Sequence, residues 1–197
     1  MMSARKLATH CRRDQRGLAA VEFALILPIL LMMFLGLIEF SHALGVRAEV
    51  INMSSAGGDL VAQKSTASGA DLDTVFSAVS AMLFPNNISQ ATVTISSVID
   101  GGTGNPPRVA WSCSKGLAPA ALAKGSTPRL PAIPAGFIVA GKGGSVIWSR
   151  VTYRYNSFLA YYLPAWTTWT NDFYLKPRRV PQIPITSSAT APAVCNI

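Results

Sequence analysis

Residues 13–40, RDQRGLAAVEFALILPILLMMFLGLIEF, decide the architecture of this 197-residue chain. From Phe23 to Ile38 there are sixteen consecutive residues without a charge. Counting back to Leu18 lengthens the run to twenty-one, with Glu22 as its one ionisable group. At about 1.5 Å per helical residue this covers roughly 31 Å, the hydrocarbon thickness of a bilayer. The stretch 18–40 therefore reads as a membrane-spanning helix. Upstream, Arg5, Lys6, Arg12, Arg13 and Arg16 stand against one acid, Asp14. That asymmetry predicts a single pass through the cytoplasmic membrane, with the N-terminus inside and the C-terminal bulk outside.

Two simpler readings compete. A secretory signal peptide has a shorter apolar region and a small-residue cleavage motif, and no clean motif of that kind follows Ile38. An uncleaved anchor needs only the apolar run. Neither accounts for Glu22, because a carboxylate facing hydrocarbon costs several kcal/mol unless it is paired, protonated or close to water. Reaching interfacial water is the plain solution. A cut after Gly17 offers another, since Leu18 would then carry a positive α-amino group and Glu22 would be the fifth residue of the shortened chain. Staggered neighbouring helices could pair the two charges.

Gly17 followed by Leu18-Ala19-Ala20-Val21-Glu22-Phe23 resembles the prepilin-type processing site of the Tad/Flp (tight adherence) branch of type IV pili. The wider string, with its basic leader, Pro28 and Glu39, is similar to the N-terminus of TadE-like pseudopilins. Leu18 stands where many type IV pilins begin with Phe or Met. The resemblance implies a leader, 1–17, removed between Gly17 and Leu18 by a prepilin peptidase. It also implies helix docking through Glu22 and Phe23, and partners among other pilins or pseudopilins and the inner-membrane assembly platform. The expected role is that of a minor pilin, in the membrane or incorporated in the pilus. The alternative is an uncleaved anchor whose head binds other pilus or secretion components.

Pro28 lies within the apolar run and predicts a kink, because proline removes one amide and crowds the preceding turn. Glu39 reads as an interfacial charge. Val46, Val50 and Met53 recur at helical spacing and extend the helix over 41–64, with Gly57-Gly58 expected to end or bend it. The head, 65–197, reads as α+β. A second helix is expected over 70–84 with an apolar stripe of Leu72, Val75, Phe76, Val79, Met82 and Leu83. Asp71 and Asp73 sit near its positive end. Strands are expected over 91–98, 108–113 and 145–158, with a short last one over 173–175. In the third of these, Ile147, Val151, Tyr153 and Tyr155 share one parity while Trp148, Arg150 and Arg154 share the other. Residues 101–107 read as a turn, 115–144 as a long loop, and the proline-rich tail from Lys176 as extended.

Cys11 falls in the leader, which leaves Cys113 and Cys195 on the oxidising side. One intramolecular pairing is then available, closing a loop of about 80 residues; buried free thiols and an intermolecular bridge remain open.

Catalytic chemistry finds few groups. His10 and His42 are the two histidines, and neither is in the head. A Ser-His-Asp arrangement cannot be built there, and no Cys/His cluster has metal-ligand spacing. No metal, cofactor or enzymatic activity is expected. Gly136–Gly143 approaches a phosphate-binding loop but lacks the Ser/Thr that would hold Mg²⁺. Asn87-Ile88-Ser89 matches a glycosylation sequon by residue type alone. Half of the net charge of +8 lies in the leader, and the +4 that remains is too small to imply a nucleic-acid partner. Arg150 and Arg154 beside Tyr153 and Tyr155 form a weak basic-aromatic motif. Tyr161, Tyr162, Trp166, Trp169, Phe173 and Tyr174 fill either a core or a binding face.

Overall fold

The computed structural model describes residues 16–128, 133, 136–138, 141–157, 167–186 and 194–197. Residues 1–15 of the leader, Tyr161, Tyr162 and Trp166 lie outside them, as do parts of the 115–144 loop and of the tail. Two compact units divide between His42 and Ala43.

Helix α1 runs Arg16–Ala62 and contains Pro28. Its sequence is rich in Leu, Ala and Met, whose side chains lose little freedom in a helix. In the first unit its large apolar side chains are exposed on every side; Leu25, Met32 and Leu37 are 71%, 73% and 66% exposed. Glu39, near the end of this unit, is 6% exposed.

In the second unit α1 passes through Gly57-Gly58 without ending. A Cβ at Gly57 would lie 3.2 Å from Ser149 Oγ, and one at Gly58 would lie 3.3 Å from Leu175 Cδ1. The glycine pair therefore lets the helix backbone approach the sheet closely, which offsets the weak helix propensity of two glycines. Past Ala62 the exposed carbonyls find partners in the tail, where the Arg178 N–H donates to Ala62 O at 2.9 Å.

Helix α2, Gly69–Ala81, opens on a capping box. The Asp71 N–H donates to Ser68 Oγ at 3.1 Å and the Ser68 N–H to Asp71 Oδ2 at 3.0 Å. The helix stops before Met82 because the next turns tighten, with Leu83 N–H donating to Ser80 O and Phe84 N–H to Ala81 O, and Pro85 cannot continue the ladder. Leu72, Val75, Phe76, Val79 and Leu83 are buried, whereas Met82 departs from the expected stripe and is 41% exposed.

A short 3-10 turn, Ile88–Gln90, leads into the sheet. Five antiparallel strands are found among the described residues: β1 Ala91–Ile99, β2 Arg108–Gly116, β3 Ser145–Tyr155, β4 Thr167–Leu175 and β5 Val194–Asn196, in the order β4-β3-β1-β2-β5. Alternation sends Ala91, Val93, Ile95, Trp111, Ile147, Val151 and Tyr153 to the face packed with the helices. The opposite face carries hydroxyls; Ser96 Oγ and Ser112 Oγ lie 2.8 Å apart, as do Thr94 Oγ1 and Ser114 Oγ. β2 ends at Gly116, where φ is +137° and a Cβ would lie 2.1 Å from Ala91 O, so glycine is required there.

β4 is longer than the expected 173–175 strand. Its polar residues have specific partners that make nine residues of pairing possible, including Asp172 opposite Arg150. The tail is pinned rather than loose: Ile183 is buried and its carbonyl accepts from Trp111 Nε1 at 2.8 Å.

Cys113 is bonded to Cys195, 82 residues further on, and joins β2 to β5. Removing the bond with Cys195→Ser should lower head stability by about 2–4 kcal/mol, chiefly by releasing the unfolded chain. Urea titrations of the two proteins check this, and coincident midpoints would contradict it.

Candidate functional site

Gly17 and Leu18 occupy the first turn of α1, with Leu18 60% exposed. Glycine at a helix end makes local fraying inexpensive, because it gains least from the helical state. Glu22 lies one turn further on and is exposed, with Phe23 beside it at 59% exposure. The most apolar window of this helix has a mean hydropathy of 2.6, and none of it is buried within the chain. A helix apolar all round has no water-facing side, so it needs lipid or other helices around it. Its length and composition suffice to cross a membrane.

In the head, polar groups cluster on the outer sheet face. Arg150 forks onto Asp172, with Nε–Oδ1 at 2.7 Å and Nη2–Oδ2 at 3.0 Å. Trp148 Nε1 donates to the same Oδ1 at 2.7 Å, and the Arg150 guanidinium lies 4.7 Å from the Trp148 ring centroid. Tyr174 stacks on Trp148 at 6.2 Å. The cation is thus committed to a structural cluster, one that β3 parity alone did not reveal because Asp172 sits on another strand. Beside it a groove of about 520 Å³ is lined by Thr92, Thr94, Thr152, Arg154 and the 117–122 segment. That segment is fixed to the sheet by hydroxyls, with Ala120 N–H donating to Ser114 Oγ at 3.1 Å and Leu122 N–H to Ser112 Oγ at 3.0 Å.

Other sequence motifs dissolve into structure. Tyr153 and Tyr155 are buried on the core face while Arg150 and Arg154 lie on the other, so they do not share one stacking platform. The Gly143 N–H, which a phosphate would need, donates to Asp100 Oδ2 at 3.1 Å. Asp100 also accepts from Gly102 N–H at 3.0 Å, and these amides, Gly102 first, hold its carboxyl below the usual range. Asn87 Oδ1 accepts from the Ser89 N–H and caps the 3-10 turn. Among the described residues no three His, Cys, Asp or Glu side chains gather as a metal site.

Asp73 bonds Lys115 at 2.6 Å and Asp71 bonds Lys64 at 2.7 Å. The Lys64 ammonium, then the Ser68 hydroxyl and N–H, lower the Asp71 pKa to about 2. A depressed carboxylate contributes stability above its unfolded pKa, near 3.8, which is lost as pH falls through the folded value near 2. Since the pair is partly exposed, the contribution is about 1 kcal/mol or less. Asp71→Asn should flatten the acid limb of head stability between those two pH values. Urea midpoints measured across the window check it, and an unchanged slope would contradict it.

An exposed apolar N-terminal helix and an α+β head are consistent with a pilin-like, membrane-anchored protein. Within that class, the family model described as TadE-like protein matches residues 17–59, which takes in most of α1 and ends at the glycine seam. No curated protein and no solved structure matches the chain.

Proposed function

We propose that this chain is a pseudopilin, or minor pilin, of a Tad/Flp-type pilus. A prepilin peptidase cuts between Gly17 and Leu18 on the cytoplasmic face, and the shortened helix docks laterally through Glu22 and Phe23. The head stands outside the cytoplasmic membrane and meets other pilins, pseudopilins or the assembly platform. The observation that carries this reading is one carboxylate, a turn past a glycine, at the start of a helix whose most apolar window has none of its residues buried within the chain. The TadE-like match over the same residues supports it.

Pairing explains the carboxylate's position. An ionised group in hydrocarbon costs about 3 kcal/mol, so a subunit with both an α-ammonium and Glu22 in lipid gains by matching each to a neighbour's opposite charge. An uncleaved anchor is the second reading, favoured by the placement of the Gly17–Leu18 bond inside the first helical turn, where a peptidase must first unwind it.

Co-expression with and without a prepilin peptidase, followed by intact-mass measurement, separates the two. Loss of residues 1–17 is expected only with the peptidase, and Gly17→Ala should slow it. An unchanged mass in both cultures would leave the anchor reading.

A further inference from the structure

The head has an apolar rim at the end where the chain enters it. Five contacts locate that end. Arg47, one turn after Ala43, places its guanidinium 5.4 Å from the Trp169 ring centroid. Trp169 pairs with Tyr153, and Tyr153 with Ala91. Ala91 O accepts from the Leu117 N–H at 2.9 Å. Asn86 Nδ2 donates to Glu49 Oε2 at 2.9 Å, which brings the α2–β1 turn to the same end. Later α1 residues pack progressively away from it: Asn171 Nδ2 donates to Ser54 Oγ, and Gly58 faces Phe173 and Leu175.

On this rim Phe84 is 84% exposed, Ile88 47%, Leu117 44% and Met82 41%. The opposite rim, 101–107 and 141–144, is built from glycine, proline, threonine, asparagine and one lysine. Leu60, Val194 and Ile197 are also exposed elsewhere on the head, but a group of four large apolar side chains at one end, with Phe84 the most exposed large apolar side chain among the described residues, calls for a partner. Arg47 and the exposed Arg154 stand at the same end, with Glu49 as the acid beside them.

We propose that this rim rests on the outer leaflet of the bilayer, with Phe84, Ile88 and Leu117 in the interfacial layer and Arg47 and Arg154 toward lipid phosphates. The inference rests on the reading of α1 as a membrane helix, since a lipid-spanning segment that delivers the chain at Ala43 brings the lipid surface to this end. An aromatic ring at headgroup depth, flanked by cations, is the chemistry that an interface rewards. The docked rim limits the tilt of the head and so sets which surfaces it offers to neighbouring subunits.

The test uses the full chain with Cys11 replaced by serine and the disulfide intact, in single-copy nanodiscs of phosphatidylethanolamine and phosphatidylglycerol. A polarity-sensitive fluorophore is attached at Phe84→Cys, Leu117→Cys, Asn105→Cys or Leu30→Cys in turn. Lipid-borne nitroxides, at the headgroup and along the acyl chain, and aqueous iodide serve as quenchers. Labels at 84 and 117 should be quenched several-fold more by headgroup nitroxide than the label at 105, with iodide showing the reverse order. If 84 and 117 behave like 105 while 30 is quenched by lipid, the rim proposal is overturned and the membrane helix stands. If 30 is also unquenched by lipid, both are overturned. Shielding of 84 from iodide only in discs with several copies, without lipid quenching, overturns the proposal in favour of a second subunit.

Discussion

In a Glu22→Ala protein, removal of residues 1–17 should proceed at close to the normal rate while incorporation into filaments should collapse. In the proposed function the peptidase recognises Gly17 and its flanks, so a change one turn downstream should leave the cut intact. Assembly differs because the α-ammonium of Leu18 then enters the bundle without a carboxylate. An unmatched ion at that depth costs about 3 kcal/mol, and that corresponds to roughly a hundredfold in a docking equilibrium. Glu22→Gln should fail as alanine does, since it keeps shape but not charge, and Glu22→Asp should recover part of the function. Filament yield per processed subunit is the measurement. Normal yield from the alanine variant would remove the docking role.

The second large effect belongs to the head. Trp111→Ala should destabilise it by about 3–5 kcal/mol, a large share of the stability of a domain this size. The indole is among the largest buried side chains and fills the core beneath the pinned tail. It also supplies the hydrogen bond to Ile183 O, which joins β2 to a tail segment that Ala67 and Ser145 hold on either side through Pro184 O and Pro181 O. Trp111→Phe keeps most of the packing and isolates the hydrogen bond, worth about 1 kcal/mol plus the smaller volume loss. Urea unfolding in detergent, followed by circular dichroism, distinguishes the two variants. A shift under about 1 kcal/mol for alanine would contradict the core position of this residue.

Local patterns carried much of this fold. The unbroken apolar run gave α1, and the alternation in residues 145–155 separated the core face of β3 from its arginine face. The stripe Leu72, Val75, Phe76 and Val79 located α2. What stayed hidden depends on residues far apart in the chain. Gly57-Gly58 resembles a helix stop until the sheet behind it is seen, where its lack of side chains becomes a packing requirement. β4 looked too polar for a strand because Asn171 and Asp172 have their partners on α1 and β3. Ile183 in the proline-rich tail gave no periodic signal, since one residue accepting one hydrogen bond has no period. The candidate site divides the same way. Gly17, Glu22 and Pro28 stand out in the sequence as candidates, whereas the apolar rim is assembled from the α2–β1 turn and the end of β2.

Zero-length carbodiimide coupling in filaments grown from mixed ¹⁴N- and ¹⁵N-labelled subunits tests the charge pairing most directly. The account predicts mixed-isotope peptides joining the amine of Leu18 in one copy to the Glu22 carboxylate of another. Filaments whose subunits retain Met1, or couple Leu18 to Glu22 only within single-isotope chains, would contradict it.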